Sequence, residues 1–212
     1  MVTMNVRNVT TKLNAAKALR LNRKKVGIFA GAFDPIHDGH IEAGKSVVEY
    51  FGLDQLYLMV ENIPWSTKTP IDIKHRRKML EIATNEIATL SQLTVDQDSF
   101  SIAETLPDII NKFSKSELYF VFGVDVFLNM NTMQWPGLDK LLQHNIVILM
   151  RDNATKEVVK EHALEINANI EIILSKHPNH KSTDVRLRVD DKNLWVPKNV
   201  CEYIDKHNLY KI

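Results

Sequence analysis

The sequence predicts an α/β fold, a Rossmann-like doubly wound parallel sheet with helices on both faces. Short apolar runs alternate along the chain with longer segments of helical spacing, as in folds that cover a parallel sheet with helices. The apolar runs are continuous rather than alternating, which is typical of strands buried on both faces. A chain of 212 residues, 44% hydrophobic and 25% charged, has the composition of an ordinary globular protein. It is long enough for one full α/β domain or two small ones.

The first strand–helix–strand unit carries the clearest pattern. Residues 26–30 form an apolar run that ends at Gly31, which indicates a buried strand meeting a tight turn. Residues 39–51 place apolar side chains at helical spacing, and Gly52 follows as a stop signal. Residues 56–60 are a second apolar run and predict the second strand.

The rest of the chain continues this alternation. Further strands are predicted over 92–96, 118–122, 146–150 and 170–174. Further helices are predicted over 73–90, 102–113, 155–167, 183–190 and 197–208. Gly123 follows the fourth strand as Gly31 follows the first. In sheets of this kind, ligands bind at the carboxyl ends of the strands where the topology switches.

Composition excludes several classes of protein. A single cysteine, Cys201, excludes an intramolecular disulfide framework and a thiolate zinc site. No apolar run approaches the ~20 residues that a membrane span needs, so no membrane partner is expected. The N-terminus lacks the apolar region of a signal peptide, so we expect a cytoplasmic protein.

The charge is distributed unevenly along the chain. Residues 1–25 contain seven basic residues and no acidic one, whereas the remainder contains 20 basic and 26 acidic residues. An organelle transit peptide, a plain extension of a bacterial enzyme and a nucleic-acid contact all fit this composition. The plain extension is favoured, and no nucleic-acid partner is expected. We therefore predict an extension over 1–24 and one domain over 25–212, with a homo-oligomer left open.

The segment 31–40, G-A-F-D-P-I-H-D-G-H, is the most informative for chemistry. Backbone amides at a turn and at a helix N-terminus form an anion site. His37 and His40 are three residues apart with Gly39 between them, so both imidazoles can face one pocket. There they could stabilise charge developing on a transferred phosphoryl or nucleotidyl group. A zinc site has no third ligand at recognisable spacing, and histidines used only for capping or packing are the remaining alternative.

This segment resembles the G-x-F-x-P-x-H-x-G-H signature of the nucleotidyltransferases that share H-x-G-H with class I aminoacyl-tRNA synthetases. Within that superfamily, residues 25–212 most resemble the bacterial nicotinate-mononucleotide adenylyltransferases. The resemblance implies an enzyme of NAD biosynthesis that joins ATP to nicotinate mononucleotide and gives deamido-NAD and pyrophosphate. It implies ATP and a pyridine mononucleotide as partners, with Mg²⁺ accompanying ATP.

Three further blocks support the resemblance. Gly123-Val124-Asp125 followed by Trp135 is similar to a G-x-D…W block. Residues 182–186, S-T-D-V-R, resemble S-S-T-x-x-R, with Lys181 where the first Ser usually stands. The tail over 196–210 matches V-P-x-x-V-x-x-Y-I-x-x-x-x-L-Y, a structural signature.

Weaker matches lie elsewhere and leave alternatives open. Lys68 could steer anions or be merely solvated, and Arg151 could contact ligand or form a surface ion pair. Arg76 is expected to brace its helix. Trp135 could stack on the pyridine ring or be a core or lid aromatic.

The resemblance implies three sets of site residues. The catalytic set is His37, His40 and Arg186. The ATP-binding set is Gly31, Ala32, Phe33, Gly39, Gly123, Asp125, Ser182 and Thr183. The mononucleotide-binding set is Trp135, Lys68 and Arg151. No metal held by the protein itself is predicted.

Three alternatives to the nicotinate reaction remain. The turn over 99–106 is one residue longer than the family's S-Y-T-x-x-T-L, whose main chain helps hold the nicotinate carboxylate, so a preference for nicotinamide mononucleotide stays open. The others are a different small-phosphate nucleotidyltransferase and a non-catalytic nucleotide-binding protein.

Overall fold

The predicted parallel sheet is present in the computed structural model of the chain, which describes residues 23–64, 69–97, 99–131, 133–187 and 195–211. Its six strands are all parallel and lie in the order β3-β2-β1-β4-β5-β6. They are β1 (Lys25–Gly31), β2 (Gln55–Val60), β3 (Leu90–Leu93), β4 (Glu117–Gly123), β5 (Asn145–Met150) and β6 (Ile170–Leu174). This architecture confirms the predicted fold class. The extension over 1–24 lies almost wholly outside the described residues.

Helices connect the strands. They are α1 (Asp38–Phe51), α2 (Ile73–Thr84), α3 (Thr105–Lys112), α4 (Val124–Phe127), α5 (Leu138–Leu141), α6 (Lys156–Glu165), α7 (Ser182–Leu187) and α8 (Lys198–Lys206). The single-turn helices α4 and α5 were not predicted, because four residues are too few to show helical periodicity. Within the described residues, no helix is both long and apolar enough to cross a membrane.

The third strand begins earlier in the chain than predicted, and the helix before it ends earlier. Ile87 and Leu90 continue the apolar spacing of α2, which extended the predicted helix to residue 90. In the structure Leu90 pairs with Leu56 of β2, so pairing at the sheet edge overrides the helical spacing. The last residues of the predicted helix over 183–190 lie outside the described residues.

The sheet is buried on both faces. Ile28, Phe120 and Ile148 belong to an apolar cluster on one face. Their neighbours along the strands, such as Phe29 and Val121, belong to a second cluster on the other face. Successive side chains of a strand point to opposite faces, so burial of both sets explains the continuous apolar runs.

The strand order places a crevice between β1 and β4. The chain passes from β1 to β2 on one side and returns through β4 on the other, so the topology switches between β1 and β4. Gly31 and Gly123 end these two strands. A Cβ at Gly123 would meet nothing within 4 Å, which leaves open space at the strand end. Ligands bind at such switch points in open α/β sheets.

Arg76 on α2 is fully buried and ties the strand ends together. Its guanidinium donates to backbone carbonyls of the segments that follow β1 and β2 and precede α2. The acceptors are Ala32 O (2.8 Å), Glu61 O (2.6 Å), Asn62 O (3.3 Å) and Ile71 O (2.8 Å). The brace predicted for one helix therefore extends to two strand ends.

We expect Arg76→Met to lower the free energy of unfolding by about 3 kcal/mol, because it leaves buried carbonyls without donors. Urea unfolding followed by circular dichroism measures this change. Arg77→Met is the matched control on the same helix, since Arg77 is half-buried and its guanidinium donates to a single carbonyl, Val95 O, at 3.4 Å. A similar loss in both variants would contradict the bracing role.

Candidate active site

The loop from β1 to α1 carries the histidine motif. Phe33 adopts a left-handed backbone conformation (φ 44°), and its ring is buried. The ring packs edge-on against Phe29 at 5.4 Å and against His40 at 5.1 Å between centroids. This packing turns the chain so that His37 becomes the N-terminal cap of α1.

The structure brings His37 and His40 together. Their rings stack with centroids 3.8 Å apart and planes 28° apart. The backbone N–H of His37 donates to His40 Nδ1 at 3.4 Å. Since Nδ1 accepts, the proton of the neutral His40 ring is assigned to Nε2. His40 can therefore donate a hydrogen bond from Nε2.

Both histidines are neutral near pH 7. Burial, together with the charge of Arg151, lowers the pKa of His40 to about 3. Burial also lowers the pKa of His37, with contributions from His40, His180 and Arg151. Among the described residues, His37 Nδ1 is buried without a hydrogen-bond partner. Buried polar atoms rarely stay unpaired, so Nδ1 is a candidate ligand contact, and the two histidines also form a capping box at the start of α1.

Glycine is required at position 39 by close packing. A Cβ there would lie 2.9 Å from His180 Cβ and 3.0 Å from the His37 ring. At Gly31 a Cβ would meet the Phe33 ring at 3.4 Å, which is ordinary contact. Packing therefore leaves no room for a side chain at position 39, whereas it permits a Cβ at position 31.

Arg186 on α7 reaches the same loop. Its Nη1 donates to the backbone carbonyl of Asp34 and lies 3.4 Å from Asp34 Oδ2. Its Nη2 donates to Thr183 Oγ1 at 3.2 Å. A charged guanidinium and a nearly buried carboxylate thus meet in the loop that leads to the histidine pair.

Two further contacts fasten this arrangement. Ser182 Oγ donates to Pro35 O at 3.0 Å, which docks α7 on the loop. Tyr210 OH donates to Asp34 Oδ1 at 2.8 Å. The sequence analysis assigned Tyr210 to a structural tail, and its separation of 176 positions from Asp34 kept the contact from being predicted.

An aromatic stack borders the histidine pair. The His180 ring lies 4.4 Å from Trp195 and 4.5 Å from His177, nearly parallel to both. The centroid of the His180 ring lies 6.4 Å from the centroid of the His37 ring. The backbone N–H of Asp38 donates to Trp195 O at 2.8 Å, which joins the stack to the start of α1.

Other predicted site residues lie at neighbouring strand ends. Asp125 is exposed on α4 directly after β4. Arg151 is exposed directly after β5, close enough for its charge to act on both histidines. Ala32 contributes its carbonyl to Arg76. Lys68 lies outside the described residues.

Trp135 is not at an open surface. It is only 3% exposed and belongs to the apolar core cluster. Its ring lies 6.2 Å from Phe100 and 6.2 Å from Phe122 between centroids. The structure therefore places this ring behind packed aromatic side chains.

Glu61 is a buried residue that the sequence analysis did not single out. It follows β2 and is 5% exposed. Its Oε1 accepts from the Phe100 N–H at 3.0 Å. Burial raises its pKa to about 7, although the Phe100 hydrogen bond and the charge of Arg76 act in the opposite direction. A glutamate directly after a buried apolar strand was the signal available in the sequence.

Comparison with known proteins identifies the family. The cytidylyltransferase-like family model matches residues 28–188. A probable nicotinate-nucleotide adenylyltransferase of Clavibacter michiganensis is 32% identical over 201 residues, which cover 89% of this chain and 95% of the relative. One from Leifsonia xyli is 30% identical over 203 residues, covering 90% and 96%.

A solved structure shares the fold. The Plasmodium falciparum nicotinic acid mononucleotide adenylyltransferase complexed with NaAD matches with a TM-score of 0.69 and 18% identity, over 89% of this chain and 98% of that one. The family model and the two relatives each extend over most of the chain, from the histidine motif through Arg186. The chain therefore belongs to the cytidylyltransferase-like family and, within it, to the nicotinate-nucleotide adenylyltransferases.

Proposed function

We propose that this protein joins ATP to nicotinate mononucleotide and releases deamido-NAD and pyrophosphate. The observation that carries the proposal is the stacked pair of His37 and His40, which stands at the start of α1 beside Arg186. Neutral imidazoles, an arginine and a helix N-terminus together suit a polyphosphate. The names of the relatives point to the same reaction.

The proposed reaction is a direct in-line displacement. An oxygen of the mononucleotide 5′-phosphate forms a bond to the α-phosphorus of ATP. The bond from the α-phosphorus to the bridging oxygen breaks, and its electron pair leaves with pyrophosphate. The attacking oxygen is already anionic, so the step needs no base. The enzyme therefore acts by positioning the reactants and stabilising charge.

The described residues divide this work. His40 donates from Nε2 to an oxygen on the α-phosphorus, and the unpaired edge of His37 faces the same group. Arg186 releases the Asp34 carboxylate and binds the β- and γ-phosphates instead. Pyrophosphate therefore leaves toward Arg186. The remaining proposed ATP contacts come from Gly31, Ala32, Phe33, Gly39, Gly123, Asp125, Ser182 and Thr183.

The proposed metal enters with the substrate. Among the described residues, no group of three or more His, Cys, Asp or Glu side chains is placed to hold a metal ion. A Mg²⁺ ion bound to phosphate oxygens needs few protein ligands, so MgATP is the proposed substrate. When bound, the ion would neutralise charge on the phosphates.

The mononucleotide is proposed to bind toward Trp135, Arg151 and Lys68. Arg151 is exposed at the end of β5 and can meet the mononucleotide phosphate. Trp135 stacks on the pyridine ring only after one of its faces is uncovered, since the ring is 3% exposed. Phe100 and Phe122 are the side chains that border it.

A substrate panel tests the proposed reaction. Pyrophosphate release is measured with ATP, Mg²⁺ and, separately, nicotinate or nicotinamide mononucleotide. We expect release with the nicotinate compound. ATP binding without release from either compound would support the non-catalytic alternative or a different phosphate-bearing acceptor.

We expect His40→Ala to lower turnover about 10²–10³-fold, because it removes a donor to the charge that develops at the α-phosphorus. The same pyrophosphate assay measures this loss, and circular dichroism verifies the fold. His207→Ala is the control, since His207 is exposed and lies after α8. Turnover near the wild-type value in His40→Ala would refute the assignment.

We expect Tyr210→Phe to raise the KM for ATP about fivefold with a smaller change in kcat. Loss of one hydrogen bond of about 1 kcal/mol leaves Asp34 to compete more strongly with phosphates for Arg186. Tyr203→Phe is the matched control, because its hydroxyl bonds His75 Nδ1 at 3.0 Å. Equal KM values in the two variants would show that the Asp34 contact is only structural.

A further inference from the structure

We propose that Glu61 sets the selectivity between an acidic and a neutral substituent on the pyridine ring of the acceptor. Its buried carboxylate disfavours a carboxylate on the ring. It favours a carboxamide, because it can accept hydrogen bonds from the amide N–H groups. This inference rests on the proposed function, which brings a pyridine mononucleotide to Trp135. It names Glu61 as a specificity residue that the family resemblance did not indicate.

The backbone of Glu61 is fixed at the edge of the crevice. Its N–H donates to Gly31 O at 3.0 Å, beside the loop that carries the histidine motif. Its carbonyl accepts from Arg76 at 2.6 Å. The glutamate therefore cannot leave this edge without breaking contacts that hold β1 and β2 together.

The side chain of Glu61 contacts the backbone of Phe100, whose ring borders Trp135. Within the described part of the chain, its carboxylate accepts one hydrogen bond, from the Phe100 N–H. The Phe100 ring lies 6.2 Å from Trp135 between centroids. Arg76 is committed to backbone carbonyls, so its guanidinium does not hydrogen-bond the carboxylate. Phe100 thus separates the Glu61 carboxyl from Trp135, the aromatic group proposed to stack on the substrate.

The turn over 99–106 has its nearby amides engaged within the protein. The Ser101 N–H donates to Thr105 Oγ1 at 3.1 Å. The amides of Glu104 and Thr105 donate to Ser101 Oγ at 3.1 and 3.4 Å. The Phe100 N–H donates to Glu61 Oε1. A ring carboxylate at this turn has to displace these acceptors, and it meets a like charge whenever Glu61 is ionised, which weakens the preference for the acid.

The protonation state of Glu61 gives the inference a second measurable consequence. Burial raises the pKa of Glu61 to about 7. Arg76 on α2 is the charged group that acts on it within the described residues, while Glu104 of the facing turn is exposed to solvent. Below that pKa the neutral carboxyl can donate to an acidic substituent, and above it the anion repels the substituent. The acid-to-amide preference therefore falls as pH rises through about 7.

Glu61→Gln tests the charge while keeping an acceptor oxygen for Phe100. The ratio of kcat/KM for nicotinate to that for nicotinamide mononucleotide is measured at about pH 6 and about pH 8. We expect the variant to raise this ratio about tenfold at the higher pH, with a smaller rise at the lower pH. The matched control is Glu117→Gln, whose carboxylate accepts from Tyr119 and Asn145 at the start of β4. Its ratio should not change.

The outcomes separate this inference from the proposed function. An unchanged ratio in Glu61→Gln, with both compounds still used, overturns the selectivity role. If the variant does not fold, the wild-type pH series decides, and a ratio that is constant from about pH 6 to about pH 8 overturns the proposal. Folded wild-type protein that binds ATP but uses neither mononucleotide refutes the proposed function, and the role of Glu61 with it.

Discussion

The buried guanidinium of Arg76 holds together the part of the molecule on which the site is built. It donates to buried and partly buried carbonyls that follow β1 and β2, and these carbonyls would lose a charged donor without it. One of them, Ala32 O, belongs to the loop that leads to the histidine pair, and another belongs to Glu61. The geometry of the crevice thus depends on a residue that contacts none of the proposed reacting groups. A charged side chain is suited to this role because several carbonyl dipoles can share it.

Asp34 is the second organising element, since it joins three distant parts of the chain. Its carboxylate meets Arg186 of α7 and Tyr210 of the tail, while its backbone belongs to the histidine loop. In the proposed reaction the phosphates of ATP replace this carboxylate as the partner of Arg186. The arginine is then held in place before substrate arrives, and binding exchanges one anionic partner for another instead of ordering a free side chain.

The sequence predicted the fold and the histidine pair well because both depend on local patterns. Apolar runs, helical spacing and the H-x-G-H segment are each read within a few residues, and the structure brings His37 and His40 together as expected. The contacts that could not be predicted join positions far apart in the chain, as Tyr210 with Asp34 and Phe100 with Glu61. Burial of Trp135 was one of the alternatives that the sequence left open, and it could not be decided there because it depends on two aromatic neighbours from other segments. Helix α2 ends earlier than predicted because the residues from Leu90 onward pair with β2 as strand β3. Helical spacing in the sequence cannot reveal this pairing.

The neutrality of the stacked histidines has a consequence for how a nucleotide finds the crevice. Uncharged rings attract a distant polyanion only weakly. Long-range electrostatic attraction therefore comes from the arginines, above all from exposed Arg151. Their field extends only about 8 Å at physiological ionic strength. For the proposed reaction, added salt should therefore slow the capture of dilute nucleotide while leaving the bond-forming step, which takes place after desolvation, almost unchanged. In the proposed reaction the arginines attract the nucleotide from solution, Arg186 also binds its phosphates, and the neutral histidines act only on the group that is transferred.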